Sequence, residues 1–176
     1  MSAIASAPAQ PAAREPAAPA ASLLPDPAAW AAAAARHEAL FAPLDAGARV
    51  ALLARSAPSQ VLVWVIGEIA ESGGSGGSAE SGSGGDDRVS ARLEAFAGYA
   101  ASGADIVLAA DDESLAAIRA ALGGAHEGAA LFETLRAAIR AGHVVCYMLK
   151  RRCVLEERGF DEMLDALGFV FMGACR

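Results

Sequence analysis

Residues 106–118 read IVLAADDESLAAI, a short apolar run followed by three acids and then by apolar residues at helical spacing. The apolar run has the length of a buried strand, since strands usually span four to eight residues. Carboxylates at the start of a helix are favoured by the helix dipole, and Leu115 and Ile118 continue on one helical face. The stretch therefore predicts a strand, an acidic turn and a helix.

Two further apolar segments, at 144–149 and 169–172, have the same short length and lie between helical patterns. Helices are expected after the acids at 86–87 and 111–113, over 127–141, and around Met163, Leu164 and Leu167. These patterns predict a helix-dominated α+β fold with a small sheet in the C-terminal block. An all-α fold is the alternative, because the apolar residues of 144–149 also fit helical spacing.

The N-terminal part, residues 26–71, has the pattern of a small helical block. Asp26 followed by Pro27 is a helix start signal, and Asp45 and Ser56 can cap two further helices. The run VLVWVI at 61–66 is compatible with a buried strand, but its apolar residues also share one helical face, and we favour helix. The block contains few large side chains, so we expect it to pack on another surface.

Two segments have compositions that cannot bury much surface. Residues 1–25 are mostly alanine, proline and serine, and residues 72–85 read SGGSGGSAESGSGG. Such sequences favour a mobile tail and a flexible linker or loop. The predicted organisation is a disordered tail (1–25), the helical block (26–71), the linker (72–87) and an α+β domain (88–176).

Composition excludes several classes of protein. The chain has 14 basic and 21 acidic residues and a net charge of −7, which argues against nucleic-acid binding. No apolar run reaches the roughly 18–20 residues that span a bilayer, and the first residues do not resemble a secretory signal. Three cysteines do not form a disulfide framework. We therefore expect a cytoplasmic protein that contacts neither membranes nor nucleic acid.

Four carboxylates near the strand–turn–helix unit are candidate ligands for a divalent cation: Asp105, Asp111, Asp112 and Glu113. Oxygen ligands suit Mg²⁺, and a small-ligand or nucleotide-responsive α/β regulatory domain would use the acidic turn. Helix capping explains the same residues without a ligand, so we predict no metal here. His143, Cys146 and Cys153 lack a known zinc spacing, and core packing is the expected role of the cysteines.

Basic residues precede one cysteine. Lys150, Arg151 and Arg152 form a candidate charged patch, and they also stand directly before Cys153. Nearby cations stabilise a thiolate, so a thiol-based sensor at Cys153 is a further alternative.

The sequence contains no phosphate-binding glycine loop, no paired-cysteine motif and no nucleophile elbow. We therefore expect neither an enzyme nor a cofactor. The favoured hypothesis is a small acidic adaptor or chaperone-like protein of a bacterial cytoplasm, acting on a protein partner or a second copy. Large aromatic residues dominate binding energy where they are desolvated, which makes Trp30, Phe41 and Trp64 the candidate interface residues.

Overall fold

A computed structural model describes residues 23–67, 89–123 and 129–169. The strands and helices alternate unevenly along the chain: α1 (Pro27–Arg36), α2 (Glu38–Phe41), β1 (Arg49–Ala54), β2 (Gln60–Ile66), β3 (Val89–Ala95), a 3₁₀ turn (Tyr99–Ala101), β4 (Ile106–Ala110), α3 (Asp112–Leu122), α4 (Ala129–Arg140), β5 (Val144–Met148), α5 (Arg152–Glu157) and α6 (Phe160–Leu167). The linker predicted at 72–87 lies outside the described residues, as do residues 1–22 of the predicted tail and all but Phe169 of the strand expected over 169–172.

The strands form one mixed sheet in the order β3-β2-β1-β4-β5. β1 runs parallel to β4, while the β1–β2, β2–β3 and β4–β5 pairs are antiparallel. Strands from both sides of the 72–87 segment thus share one sheet, with β1 at its centre. The prediction of a small sheet confined to the C-terminal block is wrong, and so is the all-α alternative.

The helices expected after Asp45 and after Ser56 are the strands β1 and β2, and the segment after the acids at 86–87, expected to be a helix, contains β3. The error has a physical cause. From Val50 to Ala54 and from Val61 to Ile66, every residue is buried. A strand covered on both faces has no polar alternation, and a continuous apolar run also satisfies a helical pattern.

The helices cover one face of the sheet and form the larger core there. Trp30 of α1 stacks on Trp64 of β2 with ring centroids 4.3 Å apart. Phe41 and Phe132 approach the Trp64 ring from α2 and α4, at 5.1 Å and 6.3 Å. These aromatic contacts pack α1, α2 and α4 together on one face of the sheet.

The opposite face is covered by the connection between β3 and β4. This connection, residues 96–105, passes across β2 and β1, and Phe96 and Ala104 pack against buried side chains such as Val63 and Val107. We call this side of the sheet the crossover face. Among the described strands, β3 and β5 are the outer ones, and each is paired with another strand on one side.

The helix capping expected from the sequence is present at two sites. The Asp26 carboxylate accepts a hydrogen bond from the Ala29 N–H, and Pro27 follows as the first helical residue. The Asp111 carboxylate accepts from the Ser114 N–H at the start of α3. Of the segments expected to be strands, 106–109 lies within β4 and 144–149 contains β5.

Candidate functional site

Asp111 lies where β4 ends and α3 begins, and its carboxylate already has protein partners. One oxygen accepts from the Ser114 N–H at 2.9 Å, and the other lies 2.7 Å from Nδ1 of His143. The hydrogen bond from Ser114 is the main cause that lowers the pKa of Asp111 to about 2. Arg55 lies 3.4 Å away from the same carboxylate. Asp111 is therefore a charged helix cap that also joins α3 to the start of β5.

The other carboxylates of the expected cation site are dispersed. Asp112 accepts a hydrogen bond from the Ser56 hydroxyl, and Glu113 is exposed beside a cavity of about 280 Å³ between α3 and α4. Asp105 stands at the other end of β4, and the six residue steps of extended chain between them separate it from Asp111 by roughly 20 Å. Among the described residues, no group of three or more His, Cys, Asp or Glu side chains is placed to hold a metal ion.

Asp105 is a buried carboxylate with protein partners. It is 2% exposed, accepts from the Arg49 N–H at 2.8 Å and pairs with the Arg158 guanidinium. A buried carboxylate with these partners holds the start of β4 against β1 and the end of α5.

The aromatic residues expected at an interface are core residues. Trp30, Phe41 and Trp64 are 0%, 1% and 2% exposed. They contact one another between the helices and the sheet, so none of them is available to a partner of the folded chain. The sequence identified them as dominant apolar anchors but could not distinguish an inner surface from an outer one.

The cysteines differ in state. Cys146 on β5 is a free, half-buried thiol, and burial raises its pKa to about 12. Cys153 is disulfide-bonded, so a reactive thiol at that position remains a prediction for the reduced chain only.

β5 is an outer strand of the sheet and carries exposed apolar side chains. Met148 is 52% exposed, Tyr147 40% and Val145 37%. Val145 and Tyr147 point to the crossover face, where the Tyr147 ring lies 4.8 Å from that of Tyr99. Met148 points to the helix face. Large apolar side chains therefore line both sides of this edge.

The register of β5 shows which backbone groups face outward. The Leu149 N–H donates to the Asp105 carbonyl, and the Asp111 N–H donates to the His143 carbonyl. In an antiparallel pair such bonded positions alternate along the strand, so Val145 and Tyr147 direct their backbone groups toward β4. The backbone groups of Val144, Cys146 and Met148 point away from the sheet, and no described residue is hydrogen-bonded to them.

The other outer strand, β3, is protected by charge. Arg92 and Glu94 on the crossover face of β3 form an ion pair with each other at 2.7 Å, and Glu94 also accepts from Arg49 at 2.8 Å. Burial raises the pKa of Glu94, but the hydrogen bond from Arg92 and the charge of Arg49 outweigh this and lower it overall. Charged side chains of this kind discourage pairing at a sheet edge. β5 contains no charged residue and no proline.

Unpaired positive charge collects at the ends of β5. Within the described ranges, only three basic side chains have no ion pair or hydrogen bond: Arg140, Lys150 and Arg151. Arg140 ends the helix that leads into β5, and the other two follow the strand. All three are exposed. Of the basic patch expected from the sequence, Arg152 pairs with Glu156 at 3.1 Å.

Sequence reasoning missed the open edge. Its signal was the uncharged run VVCYM at 144–148 between bases at both ends, but the strand order that makes β5 an outer strand is not readable from one strand. Within the described ranges, no helix has both the length and the apolar character needed to span a membrane. Comparisons with protein families, curated proteins and solved structures find no match for this chain.

Proposed function

We propose that this chain is a non-enzymatic adaptor that binds an extended, acidic segment of a partner protein as a sixth strand beside β5. The observation that carries the proposal is the contrast between the two edges of one sheet. β3 carries the Arg92–Glu94 ion pair beside one exposed apolar residue, Leu93. β5 carries three exposed apolar residues, no charge, and outward backbone groups to which no described residue is hydrogen-bonded. An edge of this kind is a template for another strand.

Main-chain hydrogen bonds would supply part of the affinity. Val144, Cys146 and Met148 direct donors and acceptors outward, and an added strand pairs with them without disturbing the β4–β5 ladder. Side chains of the added strand alternate between the two faces. On the crossover face they meet Val145 and Tyr147, and this contact supports specificity for apolar residues at alternate positions.

Charge favours a partner segment over a second copy of the chain. The exposed bases Arg140, Lys150 and Arg151 bracket β5 and have no acidic neighbour of their own among the described residues. If two β5 strands paired antiparallel, the bases that follow one strand would approach the bases that precede the other. An acidic segment meets opposite charge at both ends, which lowers the free energy of the complex and speeds association.

A proline substitution tests strand addition while leaving the internal ladder intact. In Met148→Pro the outward N–H is lost at an edge position where proline is sterically tolerated. Met148→Ala is the matched control, because it removes the same side chain but keeps the N–H. Both variants are compared with the unmodified chain in binding to peptides selected from a displayed library of random ten-residue segments.

We expect the selected peptides to alternate apolar residues, to carry acids, and to bind Met148→Ala more tightly than Met148→Pro. A library that yields no binder contradicts the proposal, as do binders that Met148→Pro retains in full. A concentration-dependent dimer in sedimentation analysis, abolished by Met148→Pro, would assign the edge to a second copy instead and overturn the partner proposed here.

The acidic turn gives less support to a ligand-responsive domain, because Asp111 and Asp112 both have protein partners. The cytoplasm is our proposed compartment, and the state of Cys153 in cells tests it. A persistent Cys153 disulfide would indicate an oxidising compartment, since cytosolic thiols are kept reduced.

A further inference from the structure

A cavity of about 330 Å³ lies beside the C-terminal end of β5. The crossover connection forms one side of it through Tyr99, Gly103 and Ala104, and the residues that end β5 form the other through Met148, Leu149 and Lys150. Its volume is at the lower end of the range for ligand pockets. One side chain with a few waters fits this space, because a water molecule takes about 30 Å³.

The cavity lies in line with the proposed sixth strand. Val145 and Tyr147 of β5 and Leu149, the first residue after this strand, alternate on the crossover face, where Leu149 packs against the apolar cluster of that face. An added strand places its side chains directly opposite these positions, with Cβ atoms about 4.5–5.5 Å apart. The side chain opposite Leu149 therefore enters the cavity, two residues from the one that meets Tyr147.

The charged group of the cavity is a hydrogen-bond donor. Lys150 carries a positive charge that has no ion pair among the described residues. Burial, the neighbouring Tyr147 and a hydrogen bond between the two hydroxyls raise the pKa of Tyr99, so the Tyr99 hydroxyl already has a protein partner. None of the described residues that line the cavity carries a carboxylate. The ammonium group of Lys150 beside apolar lining residues is suited to a carboxylate.

We propose that this cavity selects an aspartate or glutamate side chain of the added strand, at a position two residues from an apolar residue that packs on Tyr147. The proposal rests on strand addition at β5 and specifies the partner segment. The partner segment is thereby defined as an extended stretch with an acid and an apolar residue on the same face.

The test uses labelled peptides of alternating valine and threonine. One peptide carries glutamate two residues before the first valine, and a second carries it two residues after the last valine, so that either strand direction is probed. Each has a counterpart with glutamine in place of glutamate. Binding of all four is measured by fluorescence anisotropy to the unmodified chain and to the variants Lys150→Met, Arg151→Met and Met148→Pro.

We expect the unmodified chain to prefer glutamate over glutamine by about tenfold in one of the two directions, because only the carboxylate forms a charge-assisted bond with Lys150. Lys150→Met should abolish this preference. Arg151→Met is the matched control, since Arg151 is an adjacent exposed base outside the cavity. It should leave binding of the glutamine peptides unchanged and keep most of the preference for glutamate.

The outcomes separate the two proposals. If glutamate and glutamine peptides bind the unmodified chain equally, and Met148→Pro weakens both, strand addition stands and selection of an acid is refuted. If the preference survives in Lys150→Met, the cavity does not select the acid. If no peptide binds, or if Met148→Pro binds all four as the unmodified chain does, strand addition itself is refuted.

Discussion

Gly159 joins α5 to α6 and lies close to the backbone of Pro43. Its φ is +77°, and a Cβ placed there would lie 1.9 Å from the Pro43 carbonyl oxygen. Next to this contact, the Asp45 N–H donates to the Arg158 carbonyl at 3.2 Å. Gly142 has nearly the same φ, +78°, but a Cβ there would meet no atom within 4 Å. The two glycines thus have nearly the same φ but differ in the free space available to a side chain.

We expect Gly142→Ala to cost about 1 kcal/mol, because a left-handed residue with a side chain is strained by about 1–2 kcal/mol and the less flexible unfolded chain offsets part of this. Gly159→Ala carries the same strain and must also separate the two backbone segments. This loses a hydrogen bond worth about 1 kcal/mol and disturbs the packing of Leu44 and Phe160, at about 1–3 kcal/mol. The expected total is about 3–5 kcal/mol.

Urea denaturation followed by circular dichroism measures both changes, and thermal melts give an independent check. At about 2–4 °C per kcal/mol, Gly159→Ala should melt at least about 6 °C below the unmodified chain, and Gly142→Ala only a few degrees below it. Equal losses for the two variants would contradict the close approach of Gly159 to Pro43.

Three further experiments test individual residues. Asp111→Asn keeps a helix cap but removes the charge. Because folding lowers the pKa of Asp111 from its ordinary 3.8 to about 2, the charged form stabilises the fold above pH 3.8. The difference in melting temperature between the variant and the unmodified chain should therefore shrink as the pH falls from 3.8 to 2. Asp105→Asn leaves the Arg158 charge without its buried partner and should cost about 2–3 kcal/mol in urea denaturation, whereas an unchanged midpoint would contradict the assigned ion pair. The raised pKa of Cys146 predicts alkylation by iodoacetamide at pH 8 that is at least about tenfold slower in the native than in the denatured chain, and equal rates would be inconsistent with its burial.

Local signals in the sequence predicted several elements correctly. The capping residues Asp26 and Asp111 mark the starts of α1 and α3, and short apolar runs mark β4 and β5. These features depend only on residues that are close together in the sequence, so the residue types are sufficient to predict the helix starts and the strands.

The central strands were not predictable in the same way. The run VLVWVI in β2 is buried on both faces, and the polar alternation that distinguishes a strand is therefore missing. Its pairing with β3 depends on residues on the far side of the 72–87 segment.

The candidate site was likewise predictable from the sequence only where its features are local. The sequence indicated the bases Lys150 and Arg151 and the strand before them, because both are local patterns. It could not show that β5 lies at an edge, or that Tyr99 of the distant crossover forms a cavity with Lys150. The large aromatic residues were expected at an interface because of their size. Size predicts strong packing but does not show whether the packing is inside the fold or against a partner.

The free edge of β5 is tested most directly by amide hydrogen exchange, measured residue by residue with NMR in the free chain and with the glutamate peptides. In the free chain, the outward amides of Cys146 and Met148 should exchange at least about tenfold faster than the inward amides of Val145 and Tyr147. The peptide that binds should slow the two outward amides and leave those of β3 unchanged. Outward amides that are already protected in the free chain, or a peptide that protects β3 instead, would contradict strand addition at β5.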